Sequence, residues 1–260
     1  MKKLYLNKFS ILFVAGAIFV CSSMQLAYAK CTPIVSKGQV VKNEVISAGE
    51  TQMVCNGGKT INVTIEEGGR HYVHAKGSAI GTKINSGGFQ VVRYDSIAKN
   101  TVINGGVQYI DSYGVATNTK IDKGFQFVCK GGTAISTIIN KAGSQHVSLA
   151  ATASDTIVNH GGAQTIIGGI AKITTLNKGS SQHVRSCGVV MDTTVCDGAK
   201  QTIMDTSCLT INTTVCKGGT LEMEKNAVTK GLNMKPGGKI VRRDLDIYFP
   251  DVLEDPVFRM

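Results

Sequence analysis

The sequence has no tryptophan and only four prolines, and aromatic residues make up 6% of its 260 positions. A basic stripe interleaved with stacking aromatics, the mark of a nucleic-acid groove, is absent. No block of five or six like charges occurs, so an extended polyionic tail is excluded as well. No Cys-x-x-Cys spacing is present, which argues against a structural zinc site. Beyond the first thirty residues nothing approaches the ~18 consecutive apolar residues that a transmembrane helix requires. These absences leave an all-polypeptide architecture with no expected cofactor, metal or nucleic-acid partner.

The N-terminus predicts export. Lys2, Lys3 and Lys8 form a basic region, and Ile11 to Val20 is an apolar run too short to span a bilayer. Ala27-Tyr28-Ala29 then places small residues where a signal peptidase reads them, so cleavage is expected between Ala29 and Lys30. Three of the 28 basic residues lie in this leader, which leaves 25 against 18 acids, a formal +7. The remaining Lys and Arg are scattered, as on a solvated surface.

What the chain does have is glycine, thirty of them, with many Thr, Val, Ile and Asn. Short strands and tight turns follow from that bias. A fixed period chooses among the β folds. TVINGGVQYI (101–110) is echoed by TKINSGGFQVV (82–92), TIINKAGSQHV (137–147), TIVNHGGAQTI (156–166) and TTVCDGAKQTI (193–203). The shared pattern is Thr-x-Ile/Val-x-x-Gly-Gly-x-Gln-x-Val/Ile. Its glutamines are Gln52, Gln90, Gln108, Gln126, Gln145, Gln164, Gln182 and Gln201, with His71 in the same place, at spacings of eighteen or nineteen residues.

Within one copy Thr101 and Ile103 share a strand face, and Gln108 and Ile110 share another. Gly105-Gly106 supplies the sharp corner between these two strands. Such short strands cannot bury their apolar residues alone, but copies stacked at about 4.8 Å align them into one core. The expected fold is therefore all-β, a single-stranded parallel β-helix (solenoid) of about ten 18–19-residue rungs. Its organisation is a leader (1–29), an N-terminal cap (30–42), the repeat domain (43–241) and a non-repeating acidic tail (242–260). An up-and-down barrel would also place Gly-Gly between strands, but its hairpins need not repeat side chains at a constant period. For the Gln column two readings stand: an amide ladder along the axis, as in cross-β structures, or a row of exposed corner residues.

The repeat resembles the strand-loop-strand repeats of autotransporter passenger domains, notably those of the adhesin involved in diffuse adherence and related self-associating antigens. TVINGGVQYI, TKINSGGFQVV and TIVNHGGAQTI carry the likeness. The resemblance implies a passenger on the surface of a Gram-negative cell, or released from it, acting in adhesion, autoaggregation or biofilm formation. It implies partners as well: a second copy of the chain, host cell surfaces or glycans, and a glycosyltransferase modifying Ser and Thr in maturation. Ser86, Thr117 and Ser148 are examples of possible acceptors. Family passengers are followed by a β-barrel translocator, which residues 244–260 are too short to form. A truncated or split autotransporter, an incomplete reading frame or a passenger exported by another route is expected on that ground, periplasmic if no translocator exists, and a non-adhesive stalk is the alternative function.

Cysteine is the second departure from the family. Cys196 and Cys216 recur in the same TTVC phase, and Cys187 and Cys208 also lie about one rung apart. A rung spacing near 4.8 Å falls within the Cα range of a disulfide, so both pairs are candidate bridges, with buried thiols as the alternative. The histidines read as surface or corner residues, with His146 and His183 two rungs apart. β-Helical enzymes need clustered carboxylates. Asp95, Asp111, Asp122, Asp155 and Asp192 share no column, so a non-enzyme is expected.

Overall fold

The computed structural model describes residues 34–224 and 227–243. Each strand pairs in parallel with its equivalents one rung away. Gln90 stands between His71 and Gln108, Ala98 between Ala79 and Ala116, and Ile103 between Ile84 and Ile121. The chain is a parallel β-solenoid of about 11 turns of ~19 residues.

Each rung has three strands rather than two. Ser78–Ile80, Lys83–Asn85 and Phe89–Val92 make up one turn and define a first, second and third face. The first-face strand leaves little trace in the sequence because it buries a single small residue. Its inward column is Ala79, Ala98, Ala116, Ala134, Ala153 and Ala171. The second face buries Ile65, Ile84, Ile103, Ile121 and Ile139, and the third buries Val73, Val92, Ile110, Val128, Val147 and Ile166. One hydrophobic cluster runs through nearly all the rungs. Each fully buried Ile or Val contributes roughly 1.5–3 kcal/mol, which a lone rung could not collect.

Three kinds of corner close the turn. Between the first and second faces a single residue takes the left-handed conformation, as do Asn62 (φ 55°), Asn100 (φ 57°), Asn118 (φ 54°) and Asn212 (φ 54°). Asn tolerates this region through local hydrogen bonding of its amide. Ile173 occupies the same place at φ 54°, where a β-branched side chain is strained. Between the second and third faces Gly105 takes φ 99°. Gly106 follows for a different reason: a Cβ there would lie 2.4 Å from Ile84 Cγ2 and 2.5 Å from the Asn85 carbonyl. The third corner uses two successive left-handed residues, such as Ser112 and Tyr113, in the manner of a type I′ turn.

The solenoid begins earlier than expected. Ile34–Val35 pairs with Met53 and Val54, and Val40–Lys42 pairs with residues 59–61, so residues 34–42 already form rung rather than cap. The last strand, Lys239–Arg243, runs two residues past the expected end. The leader with its Ala29–Lys30 junction, and tail residues 244–260, lie outside the described residues. Among the described residues, no helix is long and apolar enough to cross a membrane.

Candidate functional site

The Gln column is buried throughout. Gln90, Gln108, Gln126, Gln145, Gln164, Gln182 and Gln201 are all 0% exposed and Gln52 is 1% exposed, which removes the exposed-corner reading. From Gln108 onward each Nε2 donates to the Oε1 of the preceding rung. The distances are 2.8 Å for Gln108 to Gln90 and for Gln126 to Gln108, then 2.7 Å for Gln145, Gln164, Gln182 and Gln201. At Gln90 the column meets His71 Nδ1 at 3.1 Å, and below His71 stands Gln52. A column of buried threonines runs alongside: Gln90 donates to Thr82 Oγ1 at 3.2 Å, Gln108 to Thr101 at 3.3 Å and Gln145 to Thr137 at 3.2 Å. The Thr and Gln of the repeat motif are thus two halves of one internal polar spine.

His71 was expected at the surface. It is fully buried instead, 3.4 Å from Thr60 Oγ1, and burial lowers its pKa to about 3, so it is neutral in the spine. His74, three residues on, faces outward and accepts from Arg93 Nε at 2.9 Å. Burial, aided by the Arg93 charge, lowers its pKa to about 4. His146 and His183 stand on either side of Thr165, two rungs apart. Among the described residues no three His, Cys, Asp or Glu side chains converge so as to hold a metal ion.

A second amide ladder, which the sequence reading missed, lies where the second face turns toward the glycine corner. Asn140 donates to Asp122 Oδ1 at 2.7 Å, Asn159 to Asn140 at 2.8 Å and Asn177 to Asn159 at 2.8 Å. Its sequence signal is the third position after each motif Thr, which is Asn or Asp in these copies. In the next two rungs Cys196 and Cys216 take that position, since Leu176 pairs with Val195 and Val195 with Val215.

Cys55, Cys187, Cys196, Cys208 and Cys216 are free thiols. The expected Cys187–Cys208 pairing is corrected by the register. Val189 pairs with Leu209, which sets Cys208 beside Gly188 and Cys187 beside Ser207, whose Oγ lies 3.2 Å from the Cys187 amide. Cys208 faces the core and bonds Asp205 Oδ1 at 3.0 Å. Burial, with the Asp205 carboxylate beside it, pushes the Cys208 thiol up to about 12. Cys187 points to solvent.

The outward positions carry the surfaces that another molecule would meet. On the third face, rings stack along the axis: Tyr109 and Phe127 at 4.8 Å between centroids, Phe127 and His146 at 5.1 Å. On the second face Thr175, Thr194 and Thr214 stand in register, half-buried, and form an outward hydroxyl column. Ser86 is exposed, while Thr117 and Ser148 are half-buried.

No family model and no curated protein matches the sequence. Among solved structures the chain is similar to the crystal structure of a TibC-catalysed hyper-glycosylated TibA fragment. The two share 30% identity and a TM-score of 0.62, over 81% of this chain and 91% of that one. The chain belongs to the autotransporter passenger family of TibA. In this chain the inward columns account for the rod, and the residues that alternate with them are the ones another molecule would meet.

Proposed function

We propose that this chain is a surface-exposed or secreted passenger that mediates adhesion or autoaggregation and is glycosylated on outward Ser and Thr. The in-register column Thr175, Thr194 and Thr214 carries the proposal, because it offers identical hydroxyls to an enzyme or partner at regular spacing. Rods bearing such columns associate through many weak contacts whose sum is set by multivalency. The family likeness supports the adhesive reading. The hyper-glycosylated state of the TibA fragment supports a glycosyltransferase as maturation partner. Host glycans or a second copy of the chain are the binding partners under this reading, and the role is non-catalytic.

Cells displaying residues 30–260 should settle faster than control cells, or attach better to host cells. Unchanged settling together with unchanged attachment would favour the stalk. Co-expression with a TibC-like glycosyltransferase should add mass to peptides holding Thr175, Thr194 and Thr214, and Thr→Ala at all three should remove that mass.

A further inference from the structure

The second amide ladder ends in sulfur. Asn177 is followed one rung later by Cys196 and two rungs later by Cys216, and the residues just before the cysteines, Val195 and Val215, are direct strand partners. Parallel in-register neighbours have Cα atoms about 4.8 Å apart, inside the 4.4–6.8 Å that a disulfide spans. Both thiols are partly exposed, so a small reagent reaches them from solvent. Each is also followed by a corner, Asp197-Gly198 and Lys217-Gly218, whose glycines take φ of 66° and 77°. In-register side chains leave their strands in parallel, whereas a disulfide needs a dihedral near 90°. A strand end beside a glycine corner supplies the slack that a mid-strand pair would lack.

Cys55, Cys187 and Cys208 have no such arrangement. Cys208 is buried on the Asp205 carboxylate, and Cys187 is one register position away from Cys208. Cys55 faces His74 in the next rung, since Val54 pairs with Val73.

We propose that Cys196 and Cys216 form an oxidation site whose product is a disulfide stapling two adjacent rungs. The oxidant is a small-molecule disulfide. One cysteine thiolate attacks it, forming a mixed disulfide and releasing one small thiol. The thiolate of the other cysteine then attacks the protein sulfur of that mixed disulfide and expels the second small thiol. Two protein thiols lose two protons and two electrons, one S–S bond forms between the rungs, and the oxidant ends as two thiols.

The test is thiol tagging and peptide mapping of the purified chain after equilibration with oxidised glutathione. The expected result is a non-reducible-tag-free pair of peptides joined through Cys196 and Cys216, separated again by reductant. Cys216→Ser should abolish the joined peptide and leave tagging of Cys55, Cys187 and Cys208 unchanged. A double variant, Cys196→Asn with Cys216→Asn, extends the Asn177 ladder and serves as a folded control. Tagging of both Cys196 and Cys216 after oxidation, in a chain whose circular dichroism matches this control, would overturn the proposal. So would a map joining either of them to Cys55 or Cys187 within one chain.

Discussion

Gln145→Leu probes the internal spine most directly. Gln145 donates to Gln126 Oε1 and accepts from Gln164 Nε2, both at 2.7 Å. Its removal leaves the Gln164 amide without an acceptor and weakens the satisfaction of Gln126, whose Oε1 keeps only Thr137 Oγ1 at 3.4 Å. Each buried group left without a partner costs about 1–3 kcal/mol, so the substitution should cost about 2–5 kcal/mol. Gln201 stands at the ladder's end beside Leu221 and serves one Gln neighbour instead of two, so Gln201→Leu should cost about half as much. The decisive measurement is the double variant Gln145→Leu with Gln164→Leu. Removing adjacent amides still breaks the ladder at two ends only, so it should cost about as much as one of the single variants rather than their sum. Urea unfolding followed by far-ultraviolet circular dichroism reads the unsubstituted chain, the single variants Gln145→Leu, Gln164→Leu and Gln201→Leu, and the double variant. Strict additivity of the two interior substitutions would refute the view that the amides act as one connected ladder.

The buried His71 makes stability depend on pH. Its pKa lies at about 3 in the folded chain against 6.5 when unfolded, so the unfolded chain binds the proton first. Its contribution is intact above 6.5 and is lost progressively as pH falls from there to about 3. At pH 5 the loss is about 2 kcal/mol, and His71→Gln, which also restores the amide column, should abolish that share in urea titrations at pH 7 and pH 5. Ile173→Asn should stabilise the chain by about 1 kcal/mol in thermal melts, because Asn holds the left-handed corner that strains a β-branched residue. Gly106→Ala should destabilise by about 3 kcal/mol or more, since its Cβ would meet Ile84 and Asn85 at 2.4 and 2.5 Å. Gly131→Ala, whose nearest neighbour is 3.3 Å away, should cost only about 1–2 kcal/mol of backbone strain in the same assay.

The period, the parallel stacking and the inward Ile and Val positions were readable from the residues, because stacked rungs demand the same side chain at the same place. The first-face strand was not, since one inward Ala between polar neighbours carries almost no alternation signal. The burial of Gln was also undecided in sequence: a polar residue in a repeat fits an exposed corner or a satisfied ladder equally well. Counting residues placed Cys187 near Cys208, yet their rung pairs at an offset of twenty, Val189 with Leu209, and the pair slips by one position. The same offset of twenty sets Cys196 and Cys216 in register as neighbouring free thiols, so the spacing argument places one pair side by side and misplaces the other.

Alternation along each strand explains why function is harder to read than fold. Every inward residue is constrained by the rung before and the rung after, so inward columns repeat and declare themselves. The residue beside it points outward and is free of the packing that fixes the inward columns. The column through Tyr109 and Phe127 continues as His146, Thr165, His183 and Thr202 without disturbing the Gln column next to it. A motif built from the inward half of the sequence therefore identifies the scaffold and is silent about the partner. Substitutions that change settling or glycosylation should accordingly fall at outward positions such as Thr175, Thr194 and Thr214, while those at Gln or Thr of the motif should change stability instead. An inward substitution that altered adhesion with stability intact would contradict this division.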